Sequence, residues 1–358
     1  MSRHMLTRPD RHLTVTWLGA VILAVGLAAC SAGTGDEAAS PSAEPAPAVT
    51  APGAPAGADT NPFLAGAPAA DPDMQSVHAA DALRGSDPDG AAALDVISEA
   101  GASLWVGDWF DPAAAQALVH EYATAADAAG RTGVVTVYAI PARDCGSFSD
   151  GGLTPEEYPD FVQAVADGLR GTRTAVVLEP DALADLGACP EQGDRAGLLR
   201  QATAALADAG ASVYLDAGNS AWVDAPTMAD RLRQAGIEDA RGFATNVSNF
   251  RTTSDERAYG DELAALLGTH YVVDTSRNGL GPLGDGPLDW CNPTGRALGE
   301  KPAAVDDGSA LDAYLYVKVP GESDGECDRG DPAAGTFWPE YAIGLVERAG
   351  WDTAGPGR

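Results

Sequence analysis

Seven apolar runs rich in β-branched and aromatic residues recur along the chain after residue 100. They are SLWVGDW (103–109), GVVTVYAI (133–140), TAVVLEP (174–180), ASVYLDAG (211–218), GFATNV (242–247), HYVVDTS (270–276) and AYLYVKV (313–319). Stretches such as AGLLRQATAALADAG, with apolar residues at helical spacing, lie between them. Strands that alternate with helices predict parallel strands joined by right-handed crossovers. The runs are continuously apolar, which predicts a sheet covered on both faces.

The number of these units predicts the fold class. About seven strand–helix units favour an α/β fold, namely a distorted, seven-stranded parallel β/α barrel of the TIM-barrel type. Globular composition begins at about Pro72, so residues 73–358 form the predicted barrel domain. An open, doubly wound parallel sheet is the alternative arrangement of the same elements.

Two segments of different character precede this domain. Residues 1–30 join a basic start to an apolar stretch that ends in LAAC, the pattern of an export signal. LAAC is similar to the bacterial lipoprotein processing site, so we expect Cys30 to carry lipid. Residues 31–72 are rich in Ala, Pro, Gly, Ser and Thr, which predicts a disordered tether. The expected location is the outer face of the cell membrane, through this lipid anchor, or the secreted fraction.

The net charge of −30 narrows the possible partners. Lys301 and Lys318 are the only lysines in the sequence. A strongly negative surface repels phosphate backbones and anionic lipid, so we expect no nucleic-acid partner and no membrane contact beyond the N-terminal anchor. Such a surface is compatible with a neutral polymer such as a polysaccharide.

Five cysteines leave an odd one in an exported protein. Assigning Cys30 to lipid leaves Cys145, Cys189, Cys291 and Cys327, an even set in an oxidising compartment. Four cysteines allow three pairings, and pairing by order gives Cys145–Cys189 and Cys291–Cys327. Zinc is the competing interpretation, but the cysteines are far apart and no CxxC pair is present.

Polar residues follow most of the predicted strands at their carboxyl ends. They are Arg143, Asp144, Glu179, Asp181, Asp216, Asn219, Asn246, Asp274, Ser276, Arg277, Asn278, Lys318, Glu322 and Asp324. One strand that ends in Asp usually marks a turn or a helix cap. Five or six strands of one parallel sheet that end this way direct carboxylates into a single cleft.

Crowded carboxylates serve either metal binding or proton transfer. A magnesium-type site is the alternative, but no histidine supports a metal site, since His270 lies at the start of its run. A carboxyl in a partly apolar pocket beside a second negative charge keeps its proton toward neutral pH and can act as a general acid. Asp181, oriented by Pro180, is the candidate acid, and Asp144 supplies the neighbouring charge. We predict no metal and no cofactor.

Aromatic residues accompany these strand ends. Trp105, Tyr138, Trp222 and Trp290 lie within or just after the polar motifs. Tryptophan near polar groups suits stacking on the apolar face of pyranose rings, although any one of these residues would more often belong to a core. Together with the carboxylates they predict a sugar-binding groove.

A series of motifs then points to a known family. YAIPARDCGSFSDGG, VVLEPDALA, VYLDAGNSAWV, GFATNVSNF, VVDTSRNG, WCNPTGRALG and YVKVPGESDGEC resemble, in order, the motifs of glycoside hydrolase family 6. This family contains cellulases, both endo-β-1,4-glucanases and cellobiohydrolases. The resemblance extends from about Ser103 to Trp351. It implies a distorted seven-stranded barrel and an inverting mechanism on β-1,4-glucan.

The resemblance also implies individual roles. Asp181 matches the general acid, Asp144 the second aspartate that raises the pKa of the acid and relays protons, and Asp324 the proposed base, whose assignment is disputed within the family. Tyr138 matches the tyrosine that distorts the sugar at the cleavage point, and Ser149 lies in the loop that closes over the substrate. Substrate-contacting positions are matched by Trp105, Trp222, Asn246, Trp290, Lys318 and Glu322. Asp216 matches a structural or electrostatic carboxylate, and Arg143 is expected to pair with the acids.

One position departs from the family pattern. Where the family has Asp-Ala-Gly-His, this chain has Asn219 in place of the histidine that contacts sugar on the leaving-group side. We expect altered binding there and an otherwise active enzyme.

Loop length bears on the mode of cleavage. Exo-acting members enclose the glucan with long insertions near the second disulfide, whereas little more than the motifs separates Cys291 from Cys327, which favours an endoglucanase. The expected partners are β-glucan chains or cello-oligosaccharides, and the expected state is a monomer. The alternatives are an exo-acting cellobiohydrolase and a cell-surface glycan-binding lipoprotein on a catalytically weakened scaffold.

Overall fold

A parallel β-sheet forms the centre of the molecule. The computed structural model describes residues 60–351. Its strands are β1 (Leu104–Gly107), β2 (Gly133–Tyr138), β3 (Thr174–Leu178), β4 (Ser212–Asp216), β5 (Gly242–Thr245), β6 (His270–Asp274), β7 (Ala303–Ala304) and β8 (Leu311–Leu315). The order β1-β2-β3-β4-β5-β6-β8-β7 is parallel throughout except for the pairing of β7 with β8. The seven predicted strands are confirmed, and the short antiparallel β7 is additional.

The winding of the sheet identifies a barrel. Its strands follow one another in chain order without the reversal that defines a doubly wound sheet, so that alternative is wrong. The two edges meet beyond the paired strands, where the amide of Ser103 donates to the carbonyl of Tyr316 at 2.9 Å. The indole nitrogen of Trp105 donates to the carbonyl of Val317 at 2.7 Å. The barrel is therefore distorted at this seam, where single hydrogen bonds replace a ladder.

Helices alternate with the strands. They are α1 (Pro62–Ala65), α2 (Gln75–Leu83), α3 (Pro88–Ala100), α4 (Pro112–Ala128), α5 (Tyr158–Leu169), α6 (Arg195–Asp208), α7 (Ala225–Gln234), α8 (Thr253–Leu267) and α9 (Pro339–Ala349). Several begin where an aspartate caps the helix, as Asp111 accepts from the amide of Ala114 at 2.8 Å. Within residues 60–351, none of these helices combines the length and apolar character needed to cross a bilayer.

The side chains of each strand divide between two cores. In β3, Ala175 and Val177 belong to the cluster inside the barrel, whereas Val176 and Leu178 belong to the cluster beneath the helices. Both sets are fully buried. This double burial explains why the strands are continuous apolar runs in the sequence.

The predicted carboxyl-terminal limit of the tether, residue 72, is wrong. Asn61 caps α1 and donates through its side-chain amide to the carbonyl of Asp312 at 2.7 Å. Phe63 is 2 % exposed and lies against Tyr214 with ring centroids 6.3 Å apart. The amide of Ala69 donates to the carbonyl of Thr132 at 2.9 Å. Residues 61–70 therefore pack on the barrel. The composition of the segment did not predict this, because a single large side chain, Phe63, provides much of the buried area. Residues 1–59, including Cys30, lie outside the described residues.

Candidate active site

A cleft of about 1620 Å³ lies at the carboxyl ends of the strands. Most of the predicted site residues line it, namely Trp105, Tyr138, Arg143, Asp144, Ser149, Asp181, Asn219, Trp222, Trp290, Lys318, Glu322 and Asp324. They come from segments separated by more than 200 positions in the chain. Their convergence follows from the barrel, in which the carboxyl ends of all strands meet at one face.

Asp181 lies half-buried in this cleft, and its backbone is fixed. Its φ of 68° is left-handed, and its amide donates to Oδ2 of Asp216 at 2.9 Å. Burial raises the pKa of Asp181 well above its usual value, and the charges of Asp216, Asp185, Asp144 and Asp324 raise it further. The carboxyl therefore holds its proton at a pH at which an exposed aspartate is ionised.

Asp216 supports Asp181 from below. It ends β4, is 1 % exposed, and also accepts from the amide of Gly218 at 3.0 Å. Burial raises the pKa of Asp216 to about 7, against the lowering effect of these two amide hydrogen bonds. Glu256, fully buried on α8, and Asp274 raise it further with their negative charges. The position fits the expected structural or electrostatic role.

Asp144 stands on the loop after β2. Its Oδ2 accepts from both the amide and the hydroxyl of Ser149, each at 2.9 Å. The hydroxyl of Tyr138 lies 3.3 Å from that of Ser149. The ring of Trp105 meets that of Tyr138 edge-on at 5.2 Å. These contacts join the second aspartate, the loop serine and two aromatic rings into one wall of the cleft.

Asp324 is held by a guanidinium group and a backbone amide. Its Oδ2 accepts from the guanidinium of Arg277 at 2.8 Å and from the amide of Asn292 at 3.0 Å. Its Oδ1 lies 3.9 Å from Nζ of Lys318, which is also 3.9 Å from Glu322. One oxygen is thus fixed by two short hydrogen bonds, while the other faces the ammonium group at longer range.

Arg143 does not pair with the expected acids. Its guanidinium donates to Oδ1 of Asp108 at 2.5 Å and to the carbonyl of Tyr138 at 2.7 Å. It also lies 4.4 Å from the centre of the Tyr138 ring. The prediction failed because the neighbouring Asp144 turns its carboxylate toward Ser149, which leaves Arg143 directed at the end of β1. Arg143 therefore braces the tyrosine.

Asn246 was predicted to contact the substrate, but it does not line the cleft. It is fully buried, and its side chain donates to the carbonyl of Asp274 at 2.9 Å and accepts from the amide of Arg251 at 3.0 Å. Since these backbone groups occupy its amide, Asn246 shapes the loop rather than contacting a ligand. Asn249, in the same FATNVSN motif, lines the cleft instead.

The turn after β4 carries Asn219 and Trp222. Asn219 is 5 % exposed, and its Oδ1 accepts from the amide of Ala221 at 3.1 Å. Its carbonyl accepts from the amide of Trp222 at 3.0 Å, and the indole is 43 % exposed in the cleft. Asn219 therefore stabilises the turn that presents Trp222.

Other residues that line the cleft were not predicted, among them Trp109, Phe148, Asp185 and Gln75. Trp109 is 53 % exposed and ends the same motif as Trp105, so the run of two tryptophans around a polar strand end was an available signal. Gln75 donates to Glu322 at 3.1 Å from a helix that follows the supposed tether, and no local sequence signal places it there.

Both expected disulfides are present. Cys145 is bonded to Cys189, and Cys291 to Cys327. The first joins the loop of Asp144 to the loop that follows Asp181. Among residues 60–351, no group of three His, Cys, Asp or Glu side chains has the arrangement of a metal site.

Comparisons with known proteins agree with this geometry. The sequence model of the family described as Glycosyl hydrolases family 6 matches residues 66–349. Endoglucanase A of Cellulomonas fimi is 50 % identical over 282 residues, which are 78 % of this chain and 61 % of that protein. The 1,4-β-D-glucan cellobiohydrolase C of Emericella nidulans is 31 % identical over 280 residues, 61 % of each chain. The chain thus spans about three fifths of the length of these two relatives.

A solved structure is similar over the whole barrel. An endoglucanase of Mycobacterium tuberculosis, in complex with methyl-cellobiosyl-4-deoxy-4-thio-β-D-cellobioside, superposes with a TM-score of 0.78 at 43 % identity. The match covers 82 % of this chain and all of the other.

Proposed function

Because the chain belongs to glycosyl hydrolase family 6, we propose that it is an inverting endoglucanase that cleaves internal β-1,4-glucosidic bonds of cellulose or a related β-glucan. The observation that carries this proposal is Asp181, a carboxyl group with a raised pKa in a cleft lined by tryptophan. Cleavage of a glycosidic bond requires a protonated acid next to a surface that binds the sugar, and this cleft has both.

Asp181 donates its proton to the glycosidic oxygen as the bond from the anomeric carbon to that oxygen breaks. The leaving sugar departs as a neutral alcohol, and Asp181 becomes a carboxylate. The amide of Asp181 is bound by Asp216, so the backbone stays in place while the carboxyl group gives up its proton. Burial keeps the acid protonated before the step, and the charge of Asp216, when that group is ionised, raises the pKa of Asp181 further.

Asp144 and Asp324 act on the developing charge and on the attacking water. Both carboxylates stabilise the positive charge at the anomeric carbon, and Asp324, as the base, accepts the one proton that the attacking water loses. Oδ2 of Asp324 is engaged by fixed donors, so Oδ1, which faces Nζ of Lys318 at 3.9 Å, receives that proton. Water attacks the face away from the leaving group, so the product has the α-configuration, and the proton returns to Asp181 through solvent.

The aromatic residues hold the glucan on either side of the cleavage point. Trp222 and Trp290 are 43 % and 39 % exposed in the cleft, unlike core tryptophans. Exposed indole faces bind the apolar faces of glucosyl units. Tyr138 lines the same cleft, with its hydroxyl 3.3 Å from that of Ser149, and we expect its ring to crowd the sugar at the cleavage point.

Internal cleavage is supported by the compact loops and by the relatives. Only 36 positions separate Cys291 from Cys327, and β7, with two residues, is the one strand inserted between β6 and β8. The endoglucanase of Cellulomonas fimi is 50 % identical, whereas the cellobiohydrolase is 31 % identical.

Hydrolysis of carboxymethyl cellulose by the wild type and by Asp181→Ala tests the proposal. We expect the wild type to release reducing sugar while viscosity falls early, as internal cleavage requires. Asp181→Ala should lose about three orders of magnitude in rate, since general acid catalysis is removed. Proton NMR of a cello-oligosaccharide digest should show the α-anomer first.

Asp160→Asn, an exposed change on α5, is the matched control and should retain wild-type activity. If the wild type binds cello-oligosaccharides without hydrolysing them, the endoglucanase proposal is wrong and the glycan-binding alternative is supported. Slow loss of viscosity relative to sugar release would indicate exo-acting cleavage.

We also propose that the protein is exported and anchored through lipid on Cys30. Two disulfides are consistent with an oxidising compartment. Partition of the full-length protein into detergent, lost in Cys30→Ala, would support the anchor, and equal partition of both proteins into the aqueous phase would refute it.

A further inference from the structure

Two buried, oppositely charged side chains lie behind the catalytic loops. Glu179 directly follows β3, and Arg195 is the first residue of α6. Each is 1 % exposed, and neither is among the described residues that line the cleft. A buried charge is unfavourable unless hydrogen bonds satisfy it, so the partners of these two residues indicate what they hold in place.

Glu179 binds the amides at the end of β2. Both of its carboxylate oxygens lie 3.0 Å from the amide nitrogen of Ala139, and Oε2 also accepts from the amide of Ile140 at 3.0 Å. These amides belong to residues that have left the β2 ladder. Glu179 therefore ties the exit of β2 to the exit of β3.

Arg195 binds the carbonyls of the next two residues. One terminal nitrogen donates to the carbonyl of Pro141 at 2.9 Å and to that of Ala142 at 2.7 Å. The other donates to the carbonyl of Ala182 at 3.3 Å, one position after Asp181. The same guanidinium thus contacts the backbone on the way to Asp144 and the backbone just beyond Asp181.

Together these contacts hold one backbone group in each of four consecutive residues. The amides of Ala139 and Ile140 are bound by the acid, and the carbonyls of Pro141 and Ala142 by the base. Asp144 comes two positions later. Residues 139–142 lie in no helix or strand, so these side-chain contacts help to set the course of the segment, together with the hydrogen bond from the amide of Leu153 to the carbonyl of Ala139 at 2.9 Å.

The loops need such support because their backbone is strained. Ala142 and Asp144 have φ of 52° and 59°, and Glu179 and Asp181 have φ of 52° and 68°. Left-handed conformations of residues other than glycine cost free energy and persist only where surrounding contacts enforce them. Charge-assisted hydrogen bonds to the neighbouring peptides supply that enforcement.

We propose that Glu179 and Arg195 are positioning residues that fix the separation of the Asp144 and Asp181 carboxyl groups by binding residues 139–142 from the β3 side. The inference rests on the proposed function, in which Asp144 supplies charge to the acid. The disulfide Cys145–Cys189 joins the same two loops farther from the sheet. Glu179 and Arg195 hold them close to the ends of β2 and β3.

The pair should influence the acid without touching the substrate. The carboxylates that face Asp181 are those of Asp144, Asp185, Asp216 and Asp324, and each raises its pKa. If residues 139–142 are released, the Asp144 carboxylate moves away from Asp181. The electrostatic effect of Asp144 on the pKa of Asp181 then becomes weaker. The pKa of Asp181 then falls, and the acid loses its proton at a lower pH.

The test compares Glu179→Gln and Arg195→Lys with the wild type on cellohexaose. We expect kcat to fall about ten- to a hundredfold while KM stays within about threefold, because the reacting groups and not the sugar contacts are displaced. The high-pH limb of the kcat/KM profile should move to lower pH by roughly half a unit. Two variants are used so that one remains informative if the other fails to fold.

Asp312→Asn is the matched control. Asp312 is a buried carboxylate, 3 % exposed on its side chain, that binds Arg241 at 2.8 Å at the opposite end of the barrel. Its variant should lower the melting temperature and leave kcat and the pH limb unchanged. Glu179 and Arg195 variants that lower the melting temperature with the same unchanged kcat and limb would overturn the proposal.

Carboxyl NMR titration of Asp181 separates this inference from the proposed function. If the wild type does not hydrolyse glucan, the proposed function fails, and the titration still measures the acid. A lower Asp181 pKa in Glu179→Gln than in the wild type supports positioning, and equal values in both proteins refute it.

Discussion

At the scale of single residues, Asp181 is fixed through its backbone rather than through its carboxyl group. Pro180 restricts the backbone directly before Asp181, and the Asp216 carboxylate accepts a hydrogen bond from the Asp181 amide. The carboxyl group is therefore free to donate a proton, while its orientation is maintained. The Glu-Pro-Asp sequence has two acids with separate tasks, since Glu179 faces inward to the peptides after β2.

Trp109 extends the aromatic surface beyond the four predicted residues. Gly107 has no Cβ, and one built there would lie 2.3 Å from the Trp109 ring, so the indole packs directly against that glycine. The guanidinium of Arg143 lies 5.8 Å from the ring centre. The indole is thus held from beneath and exposes a face to the cleft.

We predict that Trp109→Ala raises KM for cellohexaose about fivefold, which corresponds to the ~1 kcal/mol of an aromatic contact, and leaves cellotriose unaffected. Steady-state kinetics across oligosaccharide lengths would measure this. Trp109→Phe, which keeps an aromatic face, is the control and should recover most of the affinity. Equal losses on short and long substrates would mean that Trp109 supports the fold and not the glucan.

At the scale of elements, the segment from Asn61 to Ala70 closes the amino-terminal end of the barrel. Phe63 belongs to the cluster inside the barrel, together with Tyr214 and Val134. Tyr214 in turn donates to Asp312 at 2.7 Å. A short helix thus covers the end of the barrel opposite the cleft, and it does so with one large side chain.

We predict that Phe63→Ala lowers the free energy of unfolding by about 3–4 kcal/mol, the usual cost of removing a buried phenyl ring. Leu64→Ala is the control one position away, where the side chain is 55 % exposed, and should cost less than about 0.5 kcal/mol. Urea unfolding of both variants measures the difference. Similar values for the two would mean that α1 does not stabilise the barrel.

At the scale of the whole molecule, buried carboxylates make stability depend on pH. Burial raises the pKa of both Glu179 and Asp216 to about 7. A carboxyl group with a folded-state pKa above its unfolded value favours the folded state most at low pH, and this contribution is lost as pH rises through the folded pKa. The net charge of −30 acts in the same direction, because repulsion grows as carboxyls ionise.

We therefore predict that the free energy of unfolding decreases between pH 5 and pH 8, by on the order of 3 kcal/mol for each of the two groups. Guanidinium unfolding at both pH values provides the measurement. Asp216→Asn, which does not ionise, should reduce the dependence without abolishing it, because burial also raises the pKa of Glu179, Asp181 and Glu256. A free energy that increases over this range would contradict the folded-state pKa values of these residues.

Elements and residues differed in how well the sequence predicted them. The strands were recognisable because both faces of each are buried, so apolar runs such as 174–178 stand out. The last strand was displaced, with a predicted range of 313–319 and an observed Leu311–Leu315, because its apolar run continues past the point where pairing ends. Gln75 escaped prediction because its place in the cleft depends on distant segments, whereas Trp109 carried a signal in the SLWVGDW motif that the prediction did not use.

The sequence by itself determined the alternation of strands and helices, the polar groups at the strand ends and the order of the cysteines. These follow from local periodicity and from motifs that each lie within one segment. Only the tertiary structure decided that Arg143 binds Asp108, that Asn246 is buried and that residues 61–70 belong to the barrel. The direction of a side chain in a loop depends on which groups from other segments can satisfy it. In this protein those groups lie between 5 and 251 positions away in the chain.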